Sequence, residues 1–172
     1  MTTTAATGQQ DTVSGAAVRS AAGRFPTGVS VVTAGAGQAV HGSTASSFTF
    51  ISQEPPLVAV SLLRASRLLQ LIRDSRNFGV NVLSSRQSEL ARHFASRKRE
   101  LGSRQFDGIA RWPDHDGAPR LAGTVGWLHC RAERFIPAGD HDIVLAGVTE
   151  VAEASGTPLL HFAGVLYPGS IQ

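Results

Sequence analysis

Apolar and polar positions change period several times along the chain, and each change marks an element. Residues 1–11 are small and polar with no period, which predicts a disordered tail ahead of a single domain over 12–172. Asp11 or Thr12 then caps a short helix to Ala22, with Val13, Ala16, Ala17 and Ala21 as its apolar stripe. Gly23 and Pro26 end it, and the β-branched run VSVVT at 29–33 predicts a strand. A turn at Gly35, Ala36 and Gly37 leads to a second extended stretch at 40–50, making a hairpin. After Pro55 and Pro56, the continuous apolar run LVAVSLL at 57–63 reads as a strand buried on both faces. Ser66 caps a helix over 67–75 whose Leu68, Leu69, Leu71 and Ile72 share one side. Over 77–83 the period returns to two, with Phe78, Val80 and Val82 on one face and Gly79, Asn81 and Leu83 on the other.

Ser84 with Gln87 has the form of a capping box, and Leu90, Ala91 and Phe94 give the following helix its buried face until it fades near Gly102. The segment WPDHDGAP at 112–119 is turn-forming. Two long extended stretches at 124–135 and 141–151 flank Pro137, Ala138 and Gly139, and a last strand fits 159–164. Phe25 and Trp127 read as packing residues. About seven strands joined through tight turns, against three helices, predict a mainly β fold, an antiparallel barrel with flanking helices rather than a parallel α/β sheet.

Composition narrows the functional classes. A chain of 172 residues, 42% of them hydrophobic, has enough apolar surface for one core. Cys130 is the single cysteine, which excludes an internal disulfide and a Cys-rich zinc site. The polar N-terminus has no leader pattern and no apolar run is long enough to cross a bilayer, so a soluble, cytoplasmic protein is expected, with no membrane partner. Net charge is +3 from 16 basic and 13 acidic residues. The dense basic run of Arg97, Lys98, Arg99 and Arg104 has no interleaved aromatics, so it reads as a solvated face rather than a nucleic-acid patch, with a ligand phosphate as a third option.

Conventional catalytic signatures are missing. Gly35 and Gly37 lead into a strand and lack the third glycine and the helix of a dinucleotide fingerprint, and no phosphate-binding loop of the Gly-Lys-Ser type occurs. The six histidines do not recur at metal-ligand spacing with a carboxylate, and no metal is expected. His129 and Cys130 are strand neighbours and point to opposite faces, leaving Cys130 as a small buried hydrophobe. The segment GSTASSF at 42–48 sets several hydroxyls beside a glycine. That suits a phosphate or the polar edge of a heterocycle, or else a polar strand facing water.

Five segments taken together carry more than any one alone. RFPTGVSVVT (24–33), GSTASSF (42–48), PPLVAVSL with the following Ser66, NFGVNVLSSRQSELARHFA (77–95) and GDH (139–141) resemble the short-chain flavin reductase family, in order and at compatible spacing over 13–167. The family comprises the small reductase components of two-component flavin-dependent monooxygenases. The resemblance implies the FMN-binding split barrel of antiparallel Greek-key type, and a homodimer with the flavin near the subunit boundary. It also implies hydride transfer from NADH or NADPH to FMN or FAD, with reduced flavin passed to a separate monooxygenase or halogenase. It places Thr44, Ala45, Ser46 and Ser47 along the flavin. Ser61, Leu62 and Ser66, then Asn81, Leu83 and Ser84, are further flavin contacts, with Gln87 and Phe94 as additional candidates. Gly139, Asp140 and His141 fall on the nicotinamide side, with His141 the catalytic candidate, oriented by Asp140 unless that carboxylate caps the turn instead. Cofactors carry the electronic work of such a transfer, so a sequence without nucleophile or metal motif agrees with it. Two positions depart from the family pattern. Asp142 follows the Gly-Asp-His turn where a threonine is common, and Ala163 precedes Gly164 where an arginine is frequent. Both predict an altered nicotinamide side, and in the extreme a non-catalytic flavin-binding protein.

Overall fold

The computed structural model describes residues 13–112 and 117–168; the expected tail and the middle of the 112–119 turn lie outside them. The first helix, α1 (Gly15–Ala22), is capped by Ser14, whose hydroxyl accepts from the Ala17 amide at 3.2 Å. The cap therefore lies two to three residues beyond the Asp11 or Thr12 expected. Strands β1 (Thr27–Gly28), β2 (Ser30–Ala34), β3 (His41–Ala45), β4 (Thr49–Ser52) and β5 (Leu57–Leu63) follow. Then come α2 (Arg67–Ser75), β6 (Asn77–Val82), α3 (Ser88–Ala95), β7 (Gly126–Ala138), β8 (His141–Glu153), β9 (Leu160–Phe162) and β10 (Val165–Tyr167).

All strand pairs are antiparallel, in a seven-stranded sheet of order β3-β2-β6-β7-β8-β5-β4 and a three-stranded sheet of order β1-β9-β10. The mainly β, antiparallel expectation holds, with more and shorter strands. The extended stretch at 40–50 is two strands, because it leaves β2 as β3 and joins β5 as β4, an exchange of partners that hydrophobic pattern does not report. The last strand is a hairpin turned by Ala163 and Gly164, both at positive φ. α3 also starts and stops differently. Gln87 Oε1 accepts from the Ser84 amide at 2.9 Å, one arm of the expected box, but the helix begins at Ser88 and ends at Ala95, well before Gly102.

β2 and β6 are covered on both faces, and successive side chains enter two different cores. Val32, Ala34, Phe78 and Val80 join Val58, Val60, Leu68, Leu69, Ile72, Cys130 and Val144 in one cluster. Val31 joins Val29, Val40, Leu83, Ala91, Phe94, Phe106, Leu121 and Leu159 in the other. Cys130 is fully buried and its thiol is pushed up to about 12 by burial, so it is an unreactive core residue as expected. Trp127 is buried, whereas Phe25 is 74% exposed and does not pack as expected.

Asn81 ties the strands to the segment that follows α3. Its Nδ2 donates to Val31 O at 3.1 Å and to Thr33 Oγ1 at 3.2 Å, and its Oδ1 accepts from the Leu121 amide at 2.7 Å. Thr33 Oγ1 in turn donates to Pro119 O at 2.7 Å. Each group is buried, so losing the amide strands several polar atoms away from water. Asn81→Ala is expected to lower unfolding free energy by about 2–3 kcal/mol in a denaturant titration.

Candidate functional site

The GSTASS segment lies along β3 and the bend after it, opposite the C-terminal end of β5 and the start of α2. Between them is a cavity of about 570 Å³ lined by Thr44, Ala45, Ser46, Ser47, Ser61, Leu62 and Ser66, with His141 reaching in from the β7–β8 hairpin. The volume is that of an ordinary small-ligand site. Hydroxyls are prominent in its walls, but three of them are already committed to the protein. Thr44 Oγ1 donates to Ala91 O at 2.7 Å. Ser47 Oγ donates to Ser61 O at 2.8 Å and accepts from the Ser61 amide at 3.2 Å, joining the two walls. Ser66 Oγ caps α2 by accepting from the Leu69 amide at 3.2 Å. Ser66 is therefore both helix cap and cleft residue, and the hydroxyls hold a rigid wall as much as they offer bonds to a guest.

Gly42 precedes this wall, and its role differs from close approach of a ligand. A Cβ there would meet Phe94 Cε1 at 2.7 Å and Cδ1 at 2.9 Å. The glycine makes room for the Phe94 ring, which is core and not a ligand platform.

One end of the cleft is cationic, which composition alone did not foretell. Arg67, Arg97 and Arg99 line it with His41. Arg99 Nη2 donates to Gly42 O at 2.8 Å and approaches His41 Nε2 at 3.0 Å, while its buried Nε finds no partner among the described residues. The expected solvated face is thus partly a cavity wall, because these bonds fold the segment after α3 back over β3. His41 is 7% exposed. Burial, then Arg99, then Arg67 lower its pKa from 6.5 to about 4, and an Arg99 donor at Nε2 requires the neutral ring.

At the hairpin tip, Ala138 pairs with His141 across a two-residue turn in which Gly139 takes φ 64°. Asp140 Oδ1 lies 2.7 Å from His141 Nδ1, and this bond to His141 holds the Asp140 carboxyl below its ordinary value. The carboxylate bonds both the imidazole and its own main chain, so each of the two roles expected for it has a contact in the structure. Gly139 and Asp140 shape and orient the turn without lining the cavity.

Three predicted cofactor residues are placed away from this cleft. Asn81 is the buried knot described above, Leu83 is fully buried in the second core, and Ser84 borders a different, polar cavity with Ser85, Arg86, Gln87 and Thr157. Gln87 braces that region by donating from Nε2 to Ala122 O at 2.8 Å. Asp142, expected beside the dinucleotide, instead points away from His141 and is 1% exposed, paired with Arg64 and Arg73. Its charge is neutralised behind the cleft wall. Ala163 lines another cavity, beside Arg19 and Arg24.

Residues 22–170 match the family described as the flavin reductase like domain. The chain is 45% identical over 147 residues to an NADPH-flavin oxidoreductase of Streptomyces viridifaciens, covering 84% of this chain and 75% of that protein. The solved NADH:FAD oxidoreductase of Streptomyces globisporus superposes with a TM-score of 0.83 at 34% identity, covering 90% of this chain and 93% of the other. The flavin reductase component of a bacterial two-component tryptophan halogenase superposes with a TM-score of 0.81 at 32% identity, covering 89% and 96%.

His41 gives the site a pH signature. The unfolded chain takes up a proton near pH 6.5 and the folded chain only near pH 4, so acidification favours unfolding between those values and adds no more below them. The loss approaches about 1.4 kcal/mol per pH unit inside that window. His41→Asn is expected to remove that slope in denaturation curves taken from pH 7 to pH 4, leaving the contributions of the other groups.

Proposed function

The chain belongs to the flavin reductase-like family, and from that premise we propose that the hydroxyl-lined cleft is where it reduces FMN or FAD with NADH or NADPH. It is an NAD(P)H:flavin oxidoreductase that supplies reduced flavin to a separate flavin-dependent oxygenase. The observation that carries the assignment of the cleft is the meeting, in one cavity, of the Thr44–Ser47 wall, the Ser61–Ser66 wall, a cationic end and His141. The residues fit the cofactor. A neutral wall of main chain and small hydroxyls accepts a flat ring, and Arg67 and Arg97 beside His41 accept the phosphate that FMN and FAD share.

Flavin, when bound along the Thr44–Ser47 and Ser61–Ser66 walls, would supply the redox chemistry as acceptor of a hydride from a reduced nicotinamide. This chain's residues hold and orient. The Ser47 to Ser61 bonds keep the two walls at a constant spacing, so a planar guest meets a preformed slot. Main-chain donors and neutral hydroxyls stabilise the negative charge of a reduced ring without supplying protons. His141, oriented by Asp140, lies at the open rim with its side chain 41% exposed, where a second ring must enter; it orients the nicotinamide. No proton relay through a buried acid is needed.

Homodimerisation belongs to the same proposal. Phe50 and Ile51 on the edge strand β4 are 65% and 50% exposed, and they extend from the Ser47 end of the cleft. A second copy of the chain covering them would close the cleft near the subunit boundary. Sedimentation giving a monomer mass at working concentration would remove this element.

Two measurements test the assignment. In anaerobic mixing with NADH or NADPH, the oxidised flavin absorbance is expected to bleach, and His141→Ala to slow that bleaching tenfold or more while the flavin dissociation constant stays within about twofold. An unchanged rate in the variant would take His141 out of the reaction. Arg97→Ala is expected to weaken FMN binding by about 1–2 kcal/mol and to leave riboflavin, which lacks the phosphate, nearly unaffected. Equal losses for both ligands would place the phosphate elsewhere.

A further inference from the structure

Asp142 carries the next step. Leu62 pairs with Asp142 and Leu63 with His141 at the end of the β5–β8 ladder, so the two side chains leave opposite faces of β8. His141 enters the cleft. Asp142 enters the protein behind it and is 1% exposed, an expensive place for a carboxylate unless it is paired and hydrogen-bonded.

It is paired twice. Arg64 Nε, just past the end of β5, donates to Asp142 Oδ1 at 3.1 Å, and Arg73 of α2 forms an ion pair with Oδ2. Arg64 also holds the hairpin by its main chain, its amide donating to Asp140 O at 2.9 Å. The Arg73 guanidinium sits 4.6 Å from the centroid of Phe135 on β7, so it cannot swing away without losing that face. One carboxylate thus ties the first residues of β8 to the end of β5, to α2 and, through Arg73, to β7. Those elements carry His141, Ser61 and Ser66, three of the groups that define the cleft.

We propose that Asp142 is a positioning residue: its double ion pair with Arg64 and Arg73 anchors the β7–β8 hairpin against α2, and so sets where His141 stands over the bound ring. The proposal rests on the assignment of His141 to the nicotinamide side. A two-residue turn whose tip side chains are exposed has little packing of its own to fix its direction. The anchor lies on the far side of the strand, and none of Asp142, Arg64 and Arg73 lines the cleft. Asp142 therefore works in favour of hydride transfer, not against it by repulsion of the dinucleotide.

Asp142→Asn keeps the shape and removes the charge, and its guanidinium partners are exposed enough to be rehydrated, so the variant is expected to fold. Hydride transfer should slow at least fivefold, the nicotinamide KM should rise, and the flavin dissociation constant should remain within twofold. In a His141→Ala background the same change should have no further effect on hydride transfer. Hydrogen exchange of the Arg64 amide, bonded to the hairpin, should quicken at least tenfold in Asp142→Asn. An unaltered rate with unaltered Arg64 exchange overturns the proposal. So does equal slowing with and without His141, or flavin affinity falling in step with rate, since either marks a general structural loss. If His141→Ala is silent while Arg64 exchange quickens in Asp142→Asn, the anchor stands and the role of His141 is what fails.

Discussion

The cleft depends on the register between β5 and β8. Seven successive pairs, from Leu57 with Gly147 to Leu63 with His141, hold these strands together without interruption. Ser61 and Leu63, on the face that His141 shares, line the cavity at the end where His141 arrives. A slip of one residue would turn His141 into the protein and swing the Asp142 carboxylate into the cleft, because side chains alternate faces along a strand. Slippage is opposed from the core side, where Val58, Val60, Val144 and Ala146 are nearly or fully buried in one cluster. The apolar packing behind the sheet thus decides which polar group faces the cavity in front of it.

The electrostatics of the cleft follow from what is buried beside it. Its walls are neutral along most of their length, and the Thr44, Ser47 and Ser66 hydroxyls are spent on Ala91, Ser61 and the α2 cap. Positive charge is confined to one end by Arg67, Arg97 and Arg99, while His41 among them stays neutral because burial and those cations oppose a further proton. On the function proposed above, such a site would hold a phosphorylated ring at its tail and leave the ring's reactive face to be positioned by shape. The negative charge of Asp142 is likewise answered by two guanidiniums, outside the lining of the cleft.

Much of this was legible from residue order, and the failures have identifiable causes. Ser66 before an amphipathic run announced a helix start, and Pro137, Ala138 and Gly139 announced a hairpin, although the strand runs on to Ala138 and the turn is Gly139–Asp140, with His141 at its exit. Resemblance to a known family located the hydroxyl segment and the activity. Asn81, Leu83 and Ser84 lie in an equally recognisable segment, yet Asn81 and Leu83 face the second core and Ser84 a separate cavity, because β6 is covered on both sides. The basic run after α3 has no period to read. Arg99 points inward because the Gly42 carbonyl and the His41 ring are there to receive it, and those lie far away in sequence.

By itself, the order of residues determined the element types, the antiparallel class, the hydroxyl-rich segment and the family, since these depend on local propensity, period and recognisable spacing. Tertiary structure alone decided which face of each strand lined the cleft, that Gly42 serves Phe94, that arginines distant in sequence share one end of a cleft, and that Asp142 stands behind His141. The physical reason is that burial and ion pairing are properties of neighbours in space. A carboxylate next to a histidine in sequence is, on a strand, on the other side of the sheet.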